Sequence, residues 1–117
     1  MSLFAAYCRE KSMIVVENER GFMSANIHDG VCFIDNFYVI PEARGTRVAL
    51  RLTLDTIRLA EEKGCTVFAA EIYKIDPLYH YILRLHKHFG MEVTEETPYK
   101  IVTFKRINNA RPQSAIA

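Results

Sequence analysis

The residues most able to do chemistry lie in one loop, Pro41–Ala49, between an apolar segment typical of a strand and a segment typical of a helix. Arg44 and Arg47 supply cationic donors, and Gly45 lets a ligand approach the backbone closely. The first N–H groups of the helix that follows have no intrahelical acceptor and carry partial positive charge. Such a terminus binds a phosphate or pyrophosphate. The pattern therefore indicates an anion site, although an ordinary β–α connection shares it.

Two carboxylates are candidate general bases. Asp35 interrupts the otherwise apolar row Phe33, Phe37 and Val39, and a carboxylate in such a row must find hydrogen bonds or a wet cleft. Glu71 lies at the end of the next apolar strand segment. A base facing a substrate is one interpretation for each. The alternatives are a residue at the rim of the sheet for Asp35 and a solvated strand end for Glu71.

The remaining ligand-type and nucleophilic side chains form no recognisable site. His86 and His88 are two residues apart in a helical segment, so they point away from each other, and no cysteine or carboxylate completes a ligand set. Cys8, Cys32 and Cys65 are scattered and odd in number. We therefore expect no metal, no disulfide framework and no cysteine nucleophile. Free buried thiols favour a reducing compartment, the cytoplasm.

The composition argues against two classes of partner. The 117 residues carry a formal charge of +1, whereas nucleic-acid-binding domains usually have a basic surplus. No apolar run approaches the length of a membrane span, and the N-terminal segment lacks the basic start and apolar stretch of a signal peptide. We expect neither a nucleic acid nor a membrane as partner.

The apolar periodicity predicts an α/β fold in a single domain over residues 1–107. Val31–Ile40 is apolar on both faces apart from Asp35 and Asn36, which is typical of a central strand, and Pro41 ends it. The predicted order is helix, three antiparallel strands, helix, strand, helix and two strands: Ser2–Lys11, Met13–Val16, Phe22–His28, Val31–Ile40, Arg47–Lys63, Cys65–Ile72, Asp76–Phe89, Met91–Thr94 and Lys100–Ile107. This order predicts a mixed sheet with crossover helices. Residues 108–117 are polar without period, which predicts a frayed tail.

Two segments together resemble a known family. Phe37-Tyr38-Val39-Ile40-Pro41 followed by Arg44-Gly45-Thr46-Arg47-Val48-Ala49 is similar to motif A of the GNAT acetyltransferases, in which a strand ending Leu/Phe-x-Val-x-Pro precedes (Arg/Gln)-x-x-Gly-x-(Gly/Ala). Leu85-His86-Lys87-His88-Phe89-Gly90-Met91 is similar to the end of the motif B helix. The resemblance extends from Met13 to Ile107, which is most of the chain.

The resemblance implies a fold, a co-substrate and a reaction. The fold would be a GNAT-type mixed, mainly antiparallel sheet, splayed at the cofactor site, with helices packed on both faces. Acetyl-coenzyme A (acetyl-CoA) would lie in the gap, and an amine of a small molecule or protein would attack its thioester. The resemblance assigns the pantetheine arm to Phe37, Tyr38 and Val39, and the pyrophosphate to the loop residues Arg44, Gly45, Thr46, Arg47, Val48 and Ala49.

The sequence departs from the family pattern at three places. Arg47 replaces a glycine in the middle of the loop. His86 stands where the family often has a general-acid tyrosine, and Tyr79 where it often has an asparagine. The resemblance therefore offers His86 as the general acid, with Tyr73, Tyr79 and Tyr81 as alternatives. Only one helix precedes the first strand, so the acceptor side is either reduced or completed by a partner subunit, which includes a homodimer among the expectations.

Two hypotheses follow. The first is an acetyl-CoA-dependent N-acetyltransferase in which Asp35 or Glu71 is the base and His86 or a nearby tyrosine is the acid. The alternative is a catalytically silent GNAT-fold binding or structural protein, of the kind that bacteriophages encode. An enzyme predicts an open groove beside Phe37–Val39 with a carboxylate near its floor. A silent protein predicts no groove, or one filled by Arg47 and its neighbours.

Overall fold

Six strands pair into one mixed sheet in the computed structural model, which describes residues 2–108. The strand order across the sheet is β1-β2-β3-β4-β6-β5. In chain order the elements are α1 (Leu3–Glu10), β1 (Ile14–Asn18), β2 (Gly21–His28), β3 (Val31–Val39), a 3₁₀ turn (Pro41–Ala43), α2 (Val48–Glu62), β4 (Val67–Tyr73), α3 (Tyr79–His88), β5 (Glu92–Glu96) and β6 (Lys100–Arg106). The predicted element order is confirmed, and β3 lies at the centre of the sheet.

Local turn chemistry explains the first three strands. Asp29 and Gly30 both have positive φ, 52° and 79°, as a two-residue hairpin turn of the primed type requires. His28 and Val31, on either side of the turn, form the first pair of the β2–β3 ladder. β1 pairs antiparallel with β2 in the same way. A meander of three strands is therefore formed by short connections alone.

A β-bulge interrupts the β2–β3 ladder at Asp35. Ser24 pairs with Asn36, whereas the next residue, Ala25, pairs with Ile34, so Asp35 has no partner on β2. The extra residue moves every later side chain of β3 to the opposite face. Asp35 therefore does not share a row with Phe37, and the predicted apolar row was wrong.

The helices cover both faces of the sheet. The ring of Phe4 on α1 lies 4.8 Å from that of Phe22 on β2, whereas Met23, the next residue, is in the core with α2. Because neighbouring strand residues point to opposite faces, α1 lies on one face and α2 on the other. α3 packs on the α2 side: its Leu85 joins the same buried cluster, which surrounds Phe68 of β4.

The buried side of α1 differs from the predicted one. We expected Leu3, Phe4 and Tyr7 to pack, but Leu3 is 91% exposed and Tyr7 is 53% exposed. The buried residues are Ala5 and Cys8. Small side chains bring the helix backbone close to the sheet, so the larger ones are left at its flanks.

The hydrogen-bonded part of the parallel pair β3–β4 is short, and the candidate site lies where the pairing ends. Pairing covers only Val31–Phe33 with Val67–Ala69, although both strands continue well beyond these residues. Past Phe33, β3 carries the bulge at Asp35, which bends a strand and increases its twist. The two central strands therefore separate toward their C-terminal ends. This is the splayed sheet that the sequence predicts.

The chain end departs from the prediction at one residue. Asn108, assigned to the frayed tail, donates its backbone N–H to Glu61 Oε2 at 2.9 Å and its side-chain amide to the carbonyl of Cys65 at 3.3 Å. The rest of the predicted tail, 109–117, lies outside the described residues. Within residues 2–108, no helix is long and apolar enough to cross a membrane.

Candidate active site

A cleft of about 240 Å³ occupies the space where β3 and β4 separate. One wall is the bulged part of β3, from Ile34 to Phe37, and the other is the end of β4, from Ala70 to Tyr73. Asp76, Ile82 and His86 close it from the segment that contains α3. The cleft thus collects side chains from three elements that are far apart in the sequence.

Asp35 lies on the β3 wall and is exposed to the cleft. Its Oδ2 accepts a hydrogen bond of 3.1 Å from Asn36 Nδ2, and Asn36 also donates to Ser24 Oγ at 3.1 Å. Ser24 is fully buried. The bulge therefore presents the carboxylate to solvent while Asn36 anchors it to the sheet. No cation lies in salt-bridge range of Asp35 among the described residues.

Glu71 lies on the opposite wall and is already paired. Lys100 Nζ donates to its Oε2 at 2.8 Å and Tyr73 Oη donates to its Oε1 at 2.7 Å. These two hydrogen bonds, from Lys100 first and then Tyr73, lower the pKa of Glu71. A carboxylate held in its charged form is a weaker base. Glu71 lines the cleft, but both of its oxygens are engaged.

His86 forms part of the cleft wall from inside the molecule. It is 6% exposed, and its Nδ1 lies 2.9 Å from Thr103 Oγ1 on β6. Burial lowers its pKa to about 4, so the ring is neutral near pH 7. An imidazolium is therefore scarce at neutral pH, which does not favour His86 as the proton donor. The ring remains available as a hydrogen-bonding group.

The end of β3 is tied to the loop that follows it. Arg44 donates from Nε to the carbonyl of Val39 at 2.9 Å, and its guanidinium lies 5.6 Å from the centre of the Tyr38 ring. A hollow of about 100 Å³ lies beside Phe37, Tyr38 and Val39. Tyr81 of α3 lines its far side. The three strand residues predicted to bind pantetheine therefore face an open space.

The loop itself has the properties of an anion site. Gly45 has φ +82°, and a Cβ added there would meet nothing within 4 Å. α2 begins at Val48 without a side-chain cap on its N-cap residue, Arg47. By contrast, α1 is capped by Ser2, whose Oγ accepts from the backbone N–H of Ala5 at 3.0 Å. In α2, Thr46 Oγ1 accepts a hydrogen bond of 3.3 Å from the Val48 N–H. The first turn of α2 is therefore partly capped, and its remaining N–H groups carry the positive end of the helix.

A third hollow, of about 360 Å³, lies between this loop and α3. Gly45, Thr46, Arg47 and Ala49 contribute from the loop side. Arg47 is exposed and lines the hollow, whereas Val48 is half-buried on the other side of the turn. Backbone donors and a cationic side chain thus share one open space. These residues fit a pyrophosphate group.

The three hollows are neighbours that share lining residues. The cleft and the hollow beside Val39 share Phe37, Asp76 and Ile82. That hollow and the one at the loop share Tyr81. They lie in order at the carboxylates, beside the end of β3 and at the N-terminus of α2. Carboxylates therefore stand at one end of this row, and cationic and backbone donors at the other.

The structure separates the three candidate tyrosines. Tyr81 lines the hollow beside Val39 and the hollow between the loop and α3. Tyr73 lines the cleft but donates its hydroxyl to Glu71, which raises the pKa of Tyr73. Tyr79 stacks on His80, with ring centres 3.9 Å apart, and lines none of the three hollows among the described residues. Tyr81 is therefore the tyrosine best placed beside the strand end.

Comparison with known proteins identifies the family. The model of the acetyltransferase (GNAT) family matches residues 2–91. The chain belongs to the GNAT acetyltransferase family. This confirms the family and the fold class that the sequence predicts. No curated protein has a significantly similar sequence.

Solved structures show the same GNAT fold at low sequence identity. PaiA N-acetyltransferase from Thermoplasma acidophilum, solved in complex with coenzyme A, has a TM-score of 0.73 at 13% identity, over 89% of this chain and 68% of that one. Ard1 from Thermoplasma volcanium has a TM-score of 0.72 at 17% identity, over 90% of this chain and 78% of that one. The ribosomal-protein-S18-alanine N-acetyltransferase of Escherichia coli has a TM-score of 0.69 at 13% identity, over 89% of this chain and 75% of that one.

Two site residues of this GNAT chain were missed in the sequence. Lys100 binds Glu71 across the β4–β6 ladder, 29 residues away, and Thr103 binds His86 from 17 residues away. Both lie on β6, in a segment with the ordinary alternation of a strand. No local signal marks them, because their roles depend on the pairing of β6 with β4.

Proposed function

We propose that this chain is an N-acetyltransferase that moves the acetyl group of acetyl-CoA to an amine of a small molecule or protein. One observation carries the proposal: the cleft between the separated strands, a hollow beside Val39 and a hollow at the N-terminus of α2 follow one another and share lining residues. Their order, from carboxylates to cationic and backbone donors, suits a thioester that carries a pyrophosphate at its far end. Membership of the GNAT family supports the same reaction.

The binding half of the proposal rests on backbone groups. The N–H groups of the first turn of α2, together with Gly45 and Thr46, would hold the pyrophosphate, and Arg47 would add a cation. Arg47 replaces the family glycine, but its side chain is exposed and leaves the hollow open. The strand end at Phe37–Val39 would hold the pantetheine arm. The arrangement supports acetyl-CoA as the co-substrate.

The catalytic half assigns the base to Asp35. It faces the cleft, is exposed to solvent, and has no cation bound to it among the described residues. Glu71, the other candidate, is held by Lys100 and Tyr73. In our proposal Asp35 removes the proton from the attacking amine, directly or through water. Asp76 lines the same cleft and adds negative charge, which favours a cationic amine.

The acid remains a choice between His86 and Tyr81. The lowered pKa of His86 makes it a hydrogen-bond donor rather than a source of protons near pH 7. Tyr81 lies beside the strand end and has a dissociable proton. We therefore assign the proton for the leaving thiolate to Tyr81, and assign His86 to binding of the reacting group.

A thiol-release assay with a panel of amines tests the proposal. The wild-type chain, acetyl-CoA and simple diamines, polyamines or peptides with free amino groups are mixed, and released coenzyme A is measured with a thiol reagent. We expect release that depends on the amine and falls in Asp35→Asn. Binding of acetyl-CoA without release for any amine would favour the alternative, a catalytically silent GNAT-fold binding protein.

A homodimer is a further part of this proposal. Two exposed apolar side chains are next in sequence to residues of the cleft region: Ile75, which is 91% exposed, precedes Asp76, and Tyr99, which is 78% exposed, precedes Lys100. Their loops are joined by a 2.8 Å bond from Lys74 N–H to the carbonyl of Tyr99. Sedimentation of Ile75→Glu, with the equally exposed Leu3→Glu as the control, tests this. A dimer dissociated only by Ile75→Glu supports the proposal, and a monomeric wild type would contradict it.

The three cysteines of the chain are free and buried. Burial raises the pKa of Cys32 to about 12, so this thiol stays protonated and unreactive. These properties support the cytoplasmic location that the sequence predicts, and they fit a protein that needs no disulfide. The location is tested by fractionation of expressing cells with antibody detection of the chain.

A further inference from the structure

The buried pair His86–Thr103 lies directly behind the cleft. His86 is 6% exposed and Thr103 is fully buried, and their Nδ1 and Oγ1 atoms are 2.9 Å apart. Either atom can donate, depending on which ring nitrogen carries the proton. The choice decides what His86 presents to the cleft, because the second nitrogen takes the opposite role.

The surroundings of Thr103 favour one direction. Its hydroxyl has one other neighbour within reach, Met91 Sδ, at 4.0 Å. If His86 donated from Nδ1, the hydroxyl proton would be left with this long contact to a weak acceptor, in a fully buried place. If Thr103 donates to Nδ1, its proton meets a nitrogen lone pair at 2.9 Å. The second arrangement satisfies the buried hydroxyl.

The other ring nitrogen faces open space. Nε2 of His86 has no hydrogen-bond partner within residues 2–108. Among these residues, the one side-chain polar atom that is both fully buried and without a partner is Asn108 Oδ1, so Nε2 is not fully buried. Nε2 is therefore in contact with solvent space. The larger of the two hollows that His86 lines is the catalytic cleft.

We propose that Thr103 is a positioning residue whose hydroxyl donates to Nδ1 of His86 and so fixes the tautomer that presents Nε2–H to the cleft. The role in catalysis rests on the proposed acetyl transfer, whereas the tautomer does not. A neutral imidazole N–H aimed at the reacting group stabilises negative charge as it develops on the thioester, without giving up its proton. Thr103 acts only through His86.

The electrostatic surroundings allow the ring to stay neutral. The charged groups that line the same cleft are Asp35, Glu71 and Asp76, and negative charge favours an imidazolium. Burial nevertheless dominates and lowers the pKa of His86 to about 4. Lys100, bound to Glu71 at 2.8 Å, reduces the negative field on that wall. The neutral form therefore prevails near pH 7.

Nitrogen NMR of the full chain tests the tautomer. With ¹⁵N-labelled histidine, the four imidazoles give separate ring signals, and His86→Gln identifies those of His86 by their loss. We expect an unprotonated Nδ1 and a protonated Nε2 near pH 7. Thr103→Val, which keeps the side-chain volume, should shift the ring to a mixture of tautomers, and Thr103→Ser should restore the wild-type signals. A protonated Nδ1 in the wild type would overturn the proposal, even if Thr103→Val fails to fold.

Kinetics test the positioning role separately. Thr103→Val should lower kcat about tenfold or more with little change in KM for acetyl-CoA, because the lost interaction forms with developing charge. Thr103→Ser should recover most of the rate. If the wild type shows the expected tautomer but Thr103→Val keeps the wild-type kcat, the positioning role is refuted. Absence of acetyl transfer in the wild type would refute the proposed function while leaving the tautomer result intact.

Discussion

Asp35 and Glu71 face the same cleft from the two central strands that separate there, and only Glu71 has its charge neutralised. Lys100 holds Glu71 at 2.8 Å across the β4–β6 ladder. Asp35 has the amide of Asn36 as its neighbour instead. The bulge that leaves Asp35 without a strand partner also contributes to the separation of β3 from β4. One irregularity of β3 therefore both exposes the carboxylate and helps to open its cleft.

Asp35→Asn should lower kcat about a hundredfold while the affinity for acetyl-CoA stays within a factor of about two. The amide keeps the size of the side chain but cannot accept a proton. Glu71→Gln should reduce kcat by less than about tenfold, since Glu71 is a weaker base than a free carboxylate. Steady-state kinetics with a reactive amine measures both.

The control for this pair is Asp29→Asn, in the exposed hairpin at the other end of β3. It makes the same chemical change away from the cleft and should leave kcat unchanged. A larger loss in Glu71→Gln than in Asp35→Asn would assign the base to Glu71 and refute our assignment.

The titration of His86 should make stability depend on pH. Its pKa falls from 6.5 to about 4 in the folded chain because it is buried. The neutral ring is therefore favoured by folding, and this stabilisation is complete above pH 6.5 and declines as the pH falls toward 4. The difference between these two pKa values corresponds to roughly 3 kcal/mol in the free energy of unfolding, at 1.36 kcal/mol per pKa unit.

Urea unfolding of the wild type and His86→Gln between pH 4 and pH 7 measures this dependence. The free energy of unfolding of the wild type should fall across the range, and the slope should be shallower in His86→Gln because glutamine does not titrate. Equal slopes for the two proteins would mean that His86 is accessible to protons in the folded state.

Gly21→Ala should destabilise the end of β3 that the site uses. A Cβ at Gly21 would lie 3.2 Å from Val39 Cα and 3.1 Å from Leu52 Cδ1, and closer still to the carbonyl oxygen of Tyr38. Backbone cannot move aside as a flexible side chain does, so we expect a loss of about 1–3 kcal/mol. Thermal unfolding measures it; an unchanged midpoint would show that β2 and β3 are less closely packed than described.

Local sequence signals predicted the scaffold well. The Asp29-Gly30 turn, the loop at Gly45 and the order of strands and helices follow from turn residues, a helix start and apolar periodicity. Each of these depends on residues within a few positions of one another, so single-sequence reasoning reaches them. The GNAT motifs lie in the same segments.

The parts that local reasoning missed depend on pairing. The bulge at Asp35 inverts the faces of the rest of β3, and nothing in the residues Phe33–Val39 distinguishes a bulged strand from a regular one. The partners Lys100 and Thr103 are set by the register of β6 against β4. The charge state of His86 follows from burial, which is a property of the assembled core.

Calorimetric titration with acetyl-CoA tests the phosphate site at the start of α2, with Gly45→Asp and Gly64→Asp as matched variants. Both glycines have positive φ, +82° and +85°, and in both a Cβ meets nothing within 4 Å. The backbone cost of aspartate at these two left-handed positions should therefore be similar, about 1 kcal/mol. The helix dipole offsets part of it at Gly45, at the start of α2, and adds to it at Gly64, at the end. Aspartate at Gly45 also repels and displaces a pyrophosphate at the start of α2.

We expect the wild type and Gly64→Asp to bind acetyl-CoA and Gly45→Asp to lose binding. That result would locate the phosphate site at the start of α2. No binding by the wild type at about 1 mM acetyl-CoA would refute acetyl-CoA as the co-substrate, and equal binding by all three proteins would refute a phosphate site at Gly45.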